Sequence, residues 1–187
     1  MKKKYELKAE GSLFRIIALK NFRFVAKGQP GGLIEDEKNL SQEDDAWVSG
    51  DAQVSGDAQV FGDAQVYGNA QVSGNAQVTG DAQVYGNAQV FGDARVSGDA
   101  QVTGDARVSG DAQVYGDTDL LVIGPIGSRK AYTTFFSEKG RIAVSCGCYY
   151  GSIDQFEGKV ICVHEEGIYR IQYDLAIKMA RNTLKVK

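Results

Sequence analysis

The sequence predicts a mainly β protein, a parallel β-solenoid with a β cap before it and a small α+β module after it. Three observations lead there. Residues 45–116 are twelve hexapeptides in unbroken phase, [Asp/Asn]-Ala-[Gln/Arg/Trp]-Val-[Ser/Thr/Tyr/Phe]-Gly. A glycine at every sixth position excludes a helix, since each would cost about 1 kcal/mol in a helix interior. The 187 residues include 23 glycines but only 2 prolines, with 43% hydrophobic side chains, which suits a packed core and not a collagen-like or proline-rich chain.

Residues 1–44 are expected to form the cap. Strands over 4–9 and 13–19 would turn at Glu10-Gly11, and Gly28-Gln29-Pro30-Gly31-Gly32 reads as a turn-rich connection. Such a cap covers strand edges that would otherwise invite aggregation. Residues 45–123 are expected to form the solenoid. Ala-Gln-Val alternates small-inward, polar-outward and apolar-inward, the period of a strand. Each buried valine contributes about 1.5–3 kcal/mol. A larger side chain at the alanine position would overpack the interior by about 1–3 kcal/mol. A degenerate thirteenth unit, Asp117-Thr118-Asp119-Leu120, places Leu120 at the valine position. Residues 124–187 are expected to complete an α+β module. Its strands are read at 120–123, 132–137 and 141–145. Ser152-Ile153-Asp154-Gln155 is a capping box that opens a helix with Ile153, Phe156, Val160 and Val163 on one face. A second helix, about 168–182, would set Ile168, Ile171, Leu175 and Met179 against the strands.

The units resemble the hexapeptide repeats of left-handed parallel β-helix proteins. In that family three hexapeptides make one triangular coil, which is 18 residues of this unit. The resemblance therefore implies about four coils, a prism roughly 20 Å tall from the strand spacing. The flanks extend it. Leu13-Phe14-Arg15-Ile16-Ile17-Ala18-Leu19, Gly31-Gly32-Leu33-Ile34-Glu35, Glu37-Lys38-Asn39-Leu40-Ser41-Gln42 and Asp45-Ala46-Trp47-Val48 resemble the N-terminal cap of a group of bacterial and phage hexapeptide-repeat proteins. Ile126-Gly127-Ser128-Arg129, Thr133-Thr134-Phe135-Phe136, Cys146-Gly147-Cys148 and Gly151-Ser152-Ile153-Asp154-Gln155-Phe156-Glu157 resemble that group's C-terminal module. The resemblance implies the fold and carries a transferase-like label that comes from the repeat alone.

Charge is laid out in blocks: +6 over residues 1–34, −13 over 35–119 and +4 over 120–187, for a net −3. An acidic middle repels nucleic acid and attracts a basic protein. With 18 residues per coil, one corner column is Asp45, Asp63, Asp81, Asp99 and Asp117, acidic at every level. The second is Asp51, Asn69, Asn87, Asp105, and the third Asp57, Asn75, Asp93, Asp111. Carboxylates about 5 Å apart in water repel by roughly 0.8 kcal/mol, which asparagine relieves in the last two columns. The first column is the candidate partner-binding ridge. Two alternatives stand beside it: Asp and Asn suit the turn next to glycine, and rows of hard oxygens suit calcium. Stacked glutamines are expected to form amide ladders, and Arg95 and Arg107 to pair with nearby aspartates. Tyr67 and Tyr85 stack on one face, and Phe61 and Phe91 lie on others. These aromatics are candidates for a contact with a partner or with a second copy of the chain.

Little points to catalysis. The single histidine, His164, lies outside residues 45–116, whereas hexapeptide-repeat acyltransferases use a histidine as general base near the coils. No Gly-rich phosphate loop or nucleophile elbow occurs, and no cofactor is expected. Cys146, Cys148, Cys162 and His164 have the ligand types of a Cys3His zinc site, but residues i and i+2 on a helix do not share a face, and no metal is expected. Three cysteines argue against a disulfide scaffold, and no apolar run is long enough to span a membrane. A cytoplasmic, non-catalytic interaction protein is the expectation. Its sharper form is a phage-type anti-defence protein whose acidic column imitates DNA before a basic, nucleic-acid-handling partner. An acyltransferase-like enzyme and a self-assembling structural element are the alternatives.

Overall fold

The computed structural model describes residues 3–116 and 118–185. The chain opens with an antiparallel hairpin, β1 (Tyr5–Glu10) and β2 (Leu13–Ala18), turned at Gly11 with φ 66°. β3 (Pro30–Ile34) pairs antiparallel with β2 and then parallel with the repeat at Gln53–Val54, so hairpin and solenoid share one sheet. Twelve two-residue strands follow, β4 (Trp47–Val48) to β15 (Gln113–Val114), one per hexapeptide. Each of the first nine pairs in parallel with the strand three units on. Gln65–Val66 therefore lies on Gln83–Val84, and that on Gln101–Val102, with eighteen residues per turn. Three sheets form the sides of the prism.

The interior is the one the repeat dictates. Every alanine and valine of the twelve units is fully buried and belongs to one continuous core. From Gly50 to Gly110 the repeat glycines hold φ between 62° and 76°, a region side chains rarely occupy. A Cβ at Gly86 would also come within 3.0 Å of the Gly104 nitrogen in the next coil.

The stack begins earlier than Asp45 and comprises about five turns. Ile34 lies under Val54 and Leu40 under Val60, both at valine positions and both buried. Gly32 takes the alanine position, because a Cβ there would come within 2.6 Å of Ala52 O and Val48 Cγ1. At the other end the thirteenth unit does not continue the stack. Asp119 accepts the Tyr115 N–H through Oδ2 at 3.0 Å, and Leu120 begins a new antiparallel strand.

Parallel stacking gives the prism a polarity. Gln65 N–H donates to Ala82 O, Tyr67 N–H to Val84 O and Asn69 N–H to Gly86 O, while in the parallel register only the Gln–Val peptide runs the other way, so most axial N–H groups point to the C-terminal end and most carbonyls to the N-terminal end. Each end needs the opposite chemistry in its cap. Donors meet the carbonyl end. Lys4 Nζ donates to Asp44 O and Ala46 O, both at 2.8 Å, and the Tyr5 hydroxyl donates to Leu40 O at 2.6 Å. Asn39 Nδ2 donates to Gly56 O and Ala58 O, and Arg15 to Gly31 O. Acceptors meet the N–H end. Thr134 Oγ1 takes the Arg107 N–H at 3.0 Å, and Glu138 Oε1 takes the Asp111 N–H at 3.2 Å.

The C-terminal module is a four-stranded antiparallel sheet, β16 (Leu120–Ile126), β17 (Ala131–Glu138), β18 (Arg141–Cys146) and β19 (Tyr149–Ser152), with helices α1 (Ile153–Val163) and α2 (Ile168–Thr183). Alternation sorts its two faces. Phe136 and Ala143 plug the last coil, while Phe135 and Val144 pack on the helices. The Ser152–Gln155 capping box forms as expected. The helix faces differ from expectation. Ile153, Phe156 and Val160 are buried, but Val163 is exposed. On α2 the buried stripe is Tyr173, Ala176, Ile177 and Ala180. Ile168, Ile171, Leu175 and Met179 face outward instead, because the small Ala176 and Ala180 let the opposite flank sit close to the sheet.

Candidate functional site

The corner columns follow from the stacking. On the sheet that carries Trp47, Gln65, Gln83 and Gln101, one border is the row Asp45, Asp63, Asp81, Asp99 and the other is Ser49, Tyr67, Tyr85, Thr103. The acidic row and the tyrosine pair thus flank one face, an arrangement that inspection of separate columns does not reveal. Asp117 lies outside the described residues. The lower part of this face is covered. Trp47 is buried against Phe22, with ring centroids 5.3 Å apart, and Asp45 is half-buried. Arg23, in the cap loop, donates to Asp63 O at 2.8 Å and lies 3.6 Å from the Asp81 carboxylate. Asp63, Asp81 and Asp99 are exposed.

The tyrosine rings stack 4.9 Å apart with an interplanar angle of 1°. Their hydroxyls donate to the next coil, Tyr67 to Gln83 Oε1 at 3.3 Å and Tyr85 to Gln101 Oε1 at 3.4 Å. Partial burial, and then the neighbouring Tyr85, pushes the Tyr67 phenol above its ordinary pKa. Phe61 is half-buried and Phe91 exposed, each on a different face, so neither extends this surface.

The other two columns are compensated. Asn69 Nδ2 donates to Asn87 Oδ1, and Asn87 Nδ2 to Asp105 Oδ1 at 3.0 Å. Asn75 Nδ2 donates to Asp93 Oδ1 at 2.8 Å, while Lys38 pairs with Asp57 at 2.5 Å and Lys139 with Asp111 at 2.6 Å. The amide ladder therefore runs through the asparagines and not the glutamines. Gln65 Nε2 turns instead to the carbonyls of Asp45 and Asp63. Arg107 also departs from expectation, since it donates to Gln89 Oε1 and Gly147 O.

A second concave region lies in the C-terminal module, a cavity of about 330 Å³. Cys146, Cys148 and His164 line it together with Arg129, Lys159 and Tyr173. Cys162 is exposed on α1 and outside the lining. Cys146 Sγ accepts from Thr133 Oγ1 at 3.2 Å, and the His164 ring stacks on Tyr173 at 5.6 Å. Burial, with Cys146 nearby, pushes the Tyr173 phenol up to about 12. Among the described residues no three His, Cys, Asp or Glu side chains converge on a metal-sized site. Arg129 and Lys159 supply two cations to the cavity lining, which holds no carboxylate.

Six windows of the repeat, residues 52–68, 64–80, 70–86, 82–98, 88–104 and 100–116, match the family model described as YdcK beta solenoid repeat. No curated protein matches the chain. Repeat match and three-sided stack agree that this is a β-solenoid repeat protein, a type suited to a structural or interaction role. No helix among the described residues is long and apolar enough to cross a membrane.

Proposed function

We propose that the protein is a non-catalytic interaction module whose Asp63–Tyr67–Tyr85–Asp99 face binds a basic protein partner. One observation carries this reading. Of three stacked corner columns, two interleave amides with their carboxylates and hold a lysine pair or an amide ladder, whereas the first keeps aspartate at every level and meets a cation at Asp81, where Arg23 lies 3.6 Å away. A solubilising surface needs no such asymmetry. Stacked carboxylates flanked by rigid aromatic rings suit Lys- and Arg-rich surfaces, where tyrosine supplies contact area and the charge speeds encounter.

The narrower reading, imitation of DNA within an anti-defence protein, asks more of the surface. Three exposed carboxylates span roughly 10 Å at the strand spacing, a few phosphates' worth of one strand. The broader reading is therefore the proposal, and duplex DNA serves as competitor in its test. A fluorescent arginine-rich peptide is titrated against the wild type, against Asp63→Asn/Asp99→Asn, and against Asp93→Asn/Asp105→Asn from the compensated columns. The first pair should weaken binding several-fold more than the second. Equal losses would remove the first column's special role, and turnover of acetyl-CoA with an amine or hydroxyl acceptor would overturn the non-catalytic reading.

A further inference from the structure

Helix α2 carries two apolar stripes, and one has no partner within the chain. Tyr173, Ala176, Ile177 and Ala180 pack on the sheet. Ile168, Ile171, Leu175 and Met179 are 60%, 54%, 61% and 53% exposed. They recur at intervals of three, four and four residues, so they share one face of the helix. Ile161 and Val163 at the end of α1 are exposed as well. Soluble monomers seldom show so many large aliphatic side chains on one small module.

We infer that this stripe is the contact between two copies of the chain, α2 packing antiparallel on α2 about a two-fold axis. The register supports a second copy as occupant. Reversing the stripe sets Ile168 of one copy against Met179 of the other and Ile171 against Leu175, so each large side chain meets another. This is the self-complementarity an isologous interface requires. The four stripe side chains are large enough to form the apolar centre of such a contact, with surrounding residues completing the ~800 Å2 per partner of a standard interface.

The two arginines of α2 are already paired within the protomer, while Lys178 flanks the stripe beside Ile171 and Met179. Arg170 bonds Asp174 at 2.8 Å, and Arg181 bonds Asp154 and Glu157 at 2.7 and 2.8 Å. Two helices can therefore approach without setting unpaired like charges against each other at those positions. The helices lie on the side of the sheet away from the solenoid, so the two prisms would point outward. This contact is distinct from the acidic face and stands or falls separately from it.

Sedimentation velocity of the full chain across a concentration series tests it. A dimer of the 20.2 kDa chain is expected. Leu175→Glu should raise the dissociation constant by more than about tenfold, because it buries a charge in an apolar contact. Met179→Lys at the stripe's edge should do so more weakly. Unchanged circular dichroism shows that each variant folds, and if Leu175→Glu does not, Met179→Lys alone decides. A monomer at all concentrations would overturn the inference and leave the stripe to a different protein. A dimer that survives both substitutions but dissociates with Tyr67→Ser/Tyr85→Ser would place self-association on the solenoid instead.

Discussion

The two ends of the solenoid present the same backbone with opposite needs. At the N-terminal end carbonyls face outward, and Lys4, Tyr5, Arg15 and Asn39 supply donors. At the C-terminal end N–H groups face outward, and Thr134, Glu138 and Asp119 supply acceptors. A parallel stack cannot hide this polarity, because in each unit three axial N–H groups point toward the C-terminal end and the valine N–H points the other way. The difference teaches that each cap is specified by hydrogen-bond sign as well as by apolar cover.

Reversing the sign at either end should have the largest effect. Lys4→Glu would aim a carboxylate at two buried carbonyls, and Glu138→Lys an ammonium at a buried N–H; each should cost about 3–5 kcal/mol in chemical denaturation. Deleting the group without reversal should cost less. Lys4→Met and Thr134→Val leave carbonyl or N–H groups unpaired, at about 1–3 kcal/mol per variant. If Lys4→Glu and Lys4→Met proved equally stable, the polarity would have no energetic meaning.

The ends should also answer pH in opposite ranges. Burial pushes the Lys4 ammonium from 10.5 down to about 8, against the opposing pull of Asp44 and Asp45. The unfolded chain then holds the extra proton between these values, so stability rises with pH from about 8 toward 10.5. Denaturation midpoints at pH 7 and pH 9 should show this rise in the wild type and not in Lys4→Met. Burial alone would raise the Glu138 carboxyl, but hydrogen bonds from Tyr150, Arg141 and the Asp111 N–H outweigh it and hold it below the usual range. Its contribution is present at neutral pH and is lost as pH falls through that lowered value, a loss that Glu138→Gln should not show.

The smallest effect tests the wall between the ends. Asn87→Asp replaces the amide that links Asn69 to Asp105 and should cost about 0.5–1 kcal/mol at low salt and nearly nothing at 1 M. Equal costs at both ionic strengths would mean that the amide ladder acts by shape rather than charge.

The repeat made the wall legible, since invariant alanine and valine leave one solution for the interior and eighteen-residue columns follow. The capping logic was less visible. The basic N-terminal block reads as bulk charge until Lys4 is seen to be fully buried with two carbonyl acceptors. The early start of the stack had a signal in the six-residue step from Ile34 to Leu40, but the step from Leu40 to Val48 is eight residues and breaks the phase. For the site, the columns were readable, while their shared face depended on which border each takes on a sheet. Arg23's reach onto Asp81 joins residues 58 apart, and no local pattern signals it. On α2 both stripes have helical spacing, and sequence favours the bulkier one; Ala176 and Ala180 win the inner position by permitting close approach.

Because the rungs between the caps are interchangeable, the height of this protein is a quantity that evolution or an engineer can dial. Removing or adding eighteen residues returns the chain to the same corner and moves the caps by one step of ~4.8 Å. Six or twelve would bring the upper plug down on the wrong side. Growth in whole turns is thus the route by which the molecule can change its reach without redesigning its lid.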